Sequence, residues 1–258
     1  MISTLSLAGV GIGIMLALLL CVELGYRIRR RLDRRYPDRE PAEMDFLLSA
    51  AMGLLALLLG FTFSLALSRH EQRRDLVIAE ANAIGTSWLR IQALDEPARA
   101  QLSTAYAAYS QARLDWSIAS ETNEGGHAAM LRANQLQTTL WPAAIDALRA
   151  SRGMVDAKTL LDPLNESFDL AAERVARRDA HLPAALLAML LLYLLIAAGL
   201  TGWRLAADGH RAPVASSLTM LLLTLAVVAT LDLDRARDGL ISVSQQPMRD
   251  VVAAQKAR

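Results

Sequence analysis

Four blocks of about 20 apolar residues each, nearly emptied of charge, constrain this chain more than any other feature. They run from about Leu5 to Tyr26, Met44 to Ser68, Leu182 to Trp203 and Pro213 to Leu231. Each is long enough to cross the hydrocarbon of a bilayer as a helix, the form in which a spanning segment satisfies its own backbone N–H and C=O groups. Tyr26 and Trp203 close their blocks with the amphipathic rings that favour the lipid–water interface. Pro183 and Pro213 stand near block starts, where a missing N–H costs a helix nothing. Residues 27–43 join the first two blocks, and residues 204–212, with Asp208-Gly209, join the last two. The expected fold class is therefore all-α, an integral membrane protein with four transmembrane helices in two antiparallel hairpins and a helical extramembrane bundle between them.

The overall composition agrees with that segregation. Apolar residues make up 53% of the chain and the formal net charge is +1. The balance hides a local excess of seven arginines, Arg27, Arg29, Arg30, Arg31, Arg34, Arg35 and Arg39, against Asp33, Asp38 and Glu40. Between two apolar helices such a run reads as a juxtamembrane loop that sets topology rather than as a nucleic-acid site. Arg69, Arg73, Arg74, Arg174, Arg177 and Arg178 flank the middle segment, so the positive-inside count does not fix which side residues 69–181 occupy. The single cysteine, Cys21, excludes an intrachain disulfide and a thiolate zinc site. Leu18-Leu19-Leu20-Cys21 has too bulky a residue before the cysteine for lipoprotein processing and lacks a preceding basic region, so the first block is expected to be a retained span.

The middle segment, Arg69 to His181, carries apolar residues at helical spacing. Val77, Ala81, Ile84, Trp88 and Ile91 form one stripe; Leu102, Tyr106, Tyr109, Arg113 and Trp116 a second; Leu161, Leu164, Phe168, Ala171, Val175, Arg178 and Leu182 a third. A weaker helix spans about His127 to Ala150 with an interruption at Trp141-Pro142. Breaks are expected at Asp95-Glu96-Pro97, Asn123-Glu124-Gly125-Gly126 and Ser151-Arg152-Gly153. Four helices of about 20 residues suffice for a bundle. Neither Pro nor Gly separates the second span from the first middle helix, so Leu47 to Gly85 can be one long helix, whereas Pro183 can interrupt the passage into the third span. The organisation expected is a first hairpin at 1–68, a helical domain at 69–181, a second hairpin at 182–231 and a charged, amphipathic tail at 232–258 whose apolar residues include Leu240, Val243, Met248, Val251 and Val252, with a break at Pro247.

The second span is the most informative block. Ser49, Gly53, Ala56, Gly60, Ser64 and Ser68 recur every three or four positions and share one face, which suits either close helix packing or an unobstructed pore wall. Phe61 and Phe63 stand beside it and, in a ring of copies, would form a hydrophobic constriction. The pore-lining candidates are Gly53, Ala56, Gly60, Phe61, Phe63 and Ser64. Beyond the bilayer, Arg69, Arg73, Arg74, Glu80 and Asn82 are candidates for a charged vestibule, set against the simpler reading of a solvated, salt-bridged helix face. Asp232, Asp234 and Asp238 end the fourth span as an interfacial acidic cluster. Arg235 and Arg237 can neutralise them, and their spacing lacks the loop ligands of a calcium hand. His70, His127, His181 and His210 are scattered, and there is no nucleophile elbow or phosphate loop. No enzyme activity, cofactor, metal or nucleic-acid partner is expected.

Two stretches resemble a known family. Gly53-Leu54-Leu55-Ala56-Leu57-Leu58-Leu59-Gly60-Phe61-Thr62-Phe63-Ser64, followed by Arg73-Arg74 and by Glu80-Ala81-Asn82-Ala83-Ile84-Gly85-Thr86-Ser87-Trp88-Leu89-Arg90, is one. Leu231-Asp232-Leu233-Asp234-Arg235, with Gly239-Leu240-Ile241 and Ser244-Gln245-Gln246-Pro247, is the other. Together they look like the bacterial bestrophin-like proteins, and the likeness covers nearly the whole chain. It implies four spans and a helical extramembrane region on the cytoplasmic side. It also implies a multi-pass location in the bacterial inner membrane and assembly into a homo-oligomeric ion channel for inorganic anions, lined by the second span. The acidic calcium clasp of animal bestrophins has no full counterpart here. The alternative reading is a membrane sensor or scaffold whose four-helix extramembrane domain binds a ligand or partner.

Overall fold

A computed structural model of the chain describes residues 6–36, 44–119, 124–150, 156–209, 211–236 and 239–257. Within these residues the regular structure is helical: α1 (Leu7–Arg35), α2 (Met44–Gln92), α3 (Ala98–Ile118), α4 (Glu124–Ala150), α5 (Ala157–Asp179), α6 (Ala184–Ala207), α7 (Pro213–Asp234) and α8 (Gln246–Lys256). Helices α1, α2, α6 and α7 contain the four segments long and apolar enough to cross a bilayer. The all-α fold, with four spans and a helical extramembrane region between them in the chain, is as the sequence implied.

Several boundaries differ from expectation for identifiable reasons. The arginine run is not a loop from residue 27: α1 continues through Arg35. Side chains one turn apart sustain it. Arg27 pairs with Glu23 at 2.6 Å and Arg29 with Asp33 at 2.8 Å, while Arg34 and Arg35 meet the negative end of the helix dipole. Helix α2, by contrast, is the long helix that the absence of Pro and Gly near residue 69 allows, and it runs on to Gln92. Helix α4 begins at Glu124, so Gly125 and Gly126 lie inside it, and it runs through Pro142 without a break. Proline removes one N–H bond, but Leu140 and Ala144 on either side are buried in the core and hold the helix in place. The expected break at residues 151–153 lies outside the described residues. Pro183 does end the passage between α5 and α6. The Leu182 N–H freed there donates to both carboxylate oxygens of Asp234, at 2.9 and 3.2 Å. Gly209, at φ +72°, makes the turn after α6. Pro247 starts α8 rather than breaking the tail.

The chain divides into two compact units. The first comprises Met1–Arg69, His181–Arg235 and Gly239–Ile241. Here α1 packs chiefly on α6, and also on α7. Leu18, Leu55, Leu190, Leu194, Met220 and Val227 form its apolar core. Lipid tails compete with such contacts, so close backbone approach matters more than apolarity. A Cβ at Gly25 would collide with the Gly199 carbonyl, and one at Gly202 with the Val22 carbonyl. Those glycines set the α1–α6 spacing. Arg29, 8% exposed, lies over the Trp203 ring at 5.3 Å.

The second unit comprises His70–Ala180, Ala236–Asp238 and Ser242–Arg258. The stripes of α2, α3, α4 and α5 close on one core containing Ile84, Ile91, Leu102, Leu140, Leu160 and Leu164. Tyr106 stacks on Tyr109 at 5.7 Å, and Phe168 meets Tyr109 edge-on at 5.3 Å. The tail joins this core: α8 packs on α3 through Met248 and Val252, and Gln255 donates to the Ser110 hydroxyl at 3.1 Å.

Candidate functional site

Two features are candidates for functional chemistry: the exposed face of α2 in the first unit and a buried charge cluster in the second. Along the first, Leu55, Thr62 and Ala66 are buried, and the Thr62 hydroxyl is satisfied by the Leu58 and Leu59 carbonyls at 2.9 and 3.0 Å. The opposite side carries Gly53, Ala56, Gly60 and Ser64, all exposed within the chain. A Cβ added at Gly53 or Gly60 would meet nothing within 4 Å. Phe61 and Phe63 flank this stripe, 66% and 41% exposed. The small-residue face is thus not spent on packing inside the chain. The glycines at which a Cβ would strike the backbone of a neighbouring helix are Gly25 and Gly202, which the sequence reading did not single out.

The candidates for a charged vestibule separate. Arg74 and Asn82 are exposed and Arg69 is partly so. Arg73 and Glu80 turn inward, at 7% and 0% exposure, and do not belong to an open collar. The Arg73 guanidinium donates to the backbone carbonyls of Arg177 and Ala180, at 3.3 and 2.9 Å, at the end of α5. Glu80 accepts from Arg113 Nε at 2.6 Å and from Arg113 Nη2 at 3.2 Å, and it is also paired with Arg174. Arg174 further donates to the Ser117 hydroxyl at 2.8 Å and the Gln245 side-chain carbonyl at 3.0 Å. Burial pushes the Glu80 carboxyl up, but Arg113 and Arg174 together outweigh it and hold the carboxyl below its usual range. Burial also lowers the pKa of Arg174, which Glu80 opposes; a guanidinium starts so high that it stays charged. Three guanidiniums gather on one indole: Arg113, Arg174 and Arg178 lie 4.4, 5.4 and 5.1 Å from the Trp116 ring centre.

Elsewhere in the second unit a cleft of about 350 Å³ is lined by Tyr109, Arg113, Asn134, Gln137, Phe168 and Val175, among others. Tyr106 donates its hydroxyl to Ser167 at 3.1 Å, but the buried Tyr109 hydroxyl has no hydrogen-bond partner among the described residues. Burial pushes both phenols up.

The acidic cluster at the end of α7 serves the backbone. Asp232 accepts from the N–H groups of Leu240 and Ile241 at 2.7 and 2.8 Å, and Asp234 from that of Leu182. A Cβ at Gly239 would run into the Asp232 carboxylate at 2.5 Å. Asp238 lies outside the described residues. Among the described residues no group of three His, Cys, Asp or Glu is placed to hold a metal ion.

Comparison with known proteins adds the following. A family profile described as a bestrophin-like domain matches residues 15–248. A crystal structure of a bacterial bestrophin homologue from Klebsiella pneumoniae superposes with a TM-score of 0.72 at 14% identity, covering 95% of this chain and 96% of that one. A variant of a bestrophin homologue from the same organism gives 0.69 at 15% identity, covering 95% of this chain and 100% of that one. A crystal structure described only as a membrane protein gives 0.71 at 17% identity, covering 94% and 97%. No protein of curated function matches the chain.

Proposed function

The chain belongs to the bestrophin-like family, and on that premise we propose that it assembles with copies of itself into an anion-permeable channel of the bacterial inner membrane, with α2 lining the pore. The observation that carries this reading is the two-sidedness of α2. One side is committed to its own subunit through Leu55, Thr62 and Ala66, while Gly53, Ala56, Gly60 and Ser64 leave the other side open. In a ring of copies those small residues give a smooth wall, and Phe61 and Phe63 narrow it. An apolar ring of this kind controls passage by wetting and dewetting rather than by binding. Deep ionisable groups, the mark of proton-coupled transport, are absent from the second span between Phe46 and Ser68. The test is flux of a halide from liposomes holding the purified protein. A flux that changes with Phe61→Ala supports the reading; a stable monomer with no flux refutes it.

The cleft of about 350 Å³ with its unpartnered Tyr109 hydroxyl favours a second reading, a helical sensor domain that binds a small ligand. A flux-silent protein that co-purifies with a separate effector, its middle domain exposed to external protease, supports that reading over the channel.

A further inference from the structure

Among the described residues, the arginine cluster around Trp116 carries more positive charge than the carboxylates paired with it can balance. Glu80 is shared between Arg113 and Arg174, so one negative charge answers two guanidiniums. Arg178, the third cation over Trp116, donates to the Trp116 and Ala119 carbonyls at 3.3 and 3.2 Å and pairs with no carboxylate among the described residues. Those carbonyls sit at the end of α3 and carry only a fraction of a charge. Arg113 and Arg174 are buried, where a charge is tolerated when it is paired, and a single carboxylate serves both, while Arg178 stands nearer solvent.

A small cleft opens where these groups meet, lined by Arg73, Arg174, Arg177, Arg178, Trp116 and Gln245 among others. Arg174 and Gln245 are 6% and 5% exposed, so the cleft has a fixed polar floor rather than a fringe of mobile surface side chains. Arg177, nearer solvent, pairs loosely with Glu173 at 3.5 Å. The cleft holds about 30 Å³. A water-sized particle needs about 10–15 Å³ by the same measure, so there is room for one or two such particles and not for a bulky organic ligand.

We propose that this cleft in the extramembrane unit is a binding site for a small inorganic anion of halide size, held by Arg174 and Arg178 against the Trp116 ring edge. The site would neutralise the arginine excess and clamp α2, α3, α5 and the segment leading into α8 together, because its walls come from all four. It does not depend on conduction: a protein that passes no ions still binds here, and a channel without the site still conducts.

The probe is bromide, with gluconate at equal ionic strength as the anion too large to enter. The full chain in detergent should unfold at a temperature that rises with bromide and saturates, and anomalous scattering from bromide-grown crystals should place an ion between Arg174 and Arg178. Arg178→Gln, at a partly exposed position, should fold normally in gluconate. Its bromide response should need about tenfold more bromide or vanish, the loss of one charge-assisted contact. Arg249→Gln, on the exposed face of α8, should respond as the parent does. A bromide response that is absent, equal in gluconate or unchanged in Arg178→Gln overturns the proposal, as does a bromide peak found only elsewhere. Arg178→Lys should restore part of the response, which a purely structural role for the guanidinium would not do.

Discussion

Replacing Glu80 by glutamine tests the electrostatics of the extramembrane unit at its most exacting point. The carboxylate is fully buried, and its two partners are 2% and 6% exposed. Gln keeps the shape and one acceptor but removes the charge, leaving Arg113 and Arg174 adjacent and unneutralised. Breaking a buried pair by deleting one partner costs about 3–5 kcal/mol, a large part of the ~5–15 kcal/mol that holds a domain together. Hydrogen exchange followed by peptide reads this locally. Amides of α3 and α5 in the Glu80→Gln protein should lose at least about a hundredfold of their protection, while those of α6 and α7 keep theirs. The pH dependence has a definite sign. A carboxyl held below its unfolded value stabilises fully above that value, about 4.3, and the contribution is lost as pH falls through the lower folded value. Parent protection should be flat from pH 5 to 8 and drop in acid, and the variant should lack that acid-side loss. A change of less than about threefold in α3 and α5 at neutral pH would refute the reasoning.

Other substitutions probe separate parts of the account. Gly202→Ala forces a methyl into the Val22 carbonyl and should cost about 1–3 kcal/mol in overpacking, seen as a lower melting temperature in detergent. Gly53→Ala meets open space and should leave that temperature unchanged or raise it, since alanine favours the helix by about 1 kcal/mol. Asp232→Asn loses one of the two oxygens that accept from Leu240 and Ile241 and should cost about 1–2 kcal/mol, with faster exchange at those two amides as the local sign. Pro142→Ala restores a helical N–H inside α4 and should raise protection across residues 136–146.

Spans are legible in a sequence because charge exclusion over about 20 residues has few other causes. The long α2 was legible for a simpler reason: no residue between Leu47 and Gly85 opposes a helix strongly enough to stop it. Pro183 and Pro142 looked alike as breakers, yet one ends a helix and the other does not. The difference lies in packing, since Asp234 receives the N–H freed beside Pro183 while buried neighbours hold α4 straight through Pro142. The small-residue face of α2 could be read from spacing, but whether it met another helix of the same chain could not. The charge cluster was half visible. Arg113 and Arg178 fall in phase with apolar stripes, where a charge must find a partner. Glu80 lies 33 residues from Arg113 and 94 from Arg174, and no local pattern connects them.

The most direct test of the channel account is thiol modification of α2 during anion flux. In a Cys21→Ser background, Gly60→Cys should place the one thiol on the open face of α2, and Leu192→Cys, 55% exposed on α6, should place it on a different helix. A charged, membrane-impermeant thiol reagent should stop halide flux from liposomes containing Gly60→Cys and leave the Leu192→Cys flux intact. Flux through Gly60→Cys that continues after complete modification would contradict a pore lined by α2.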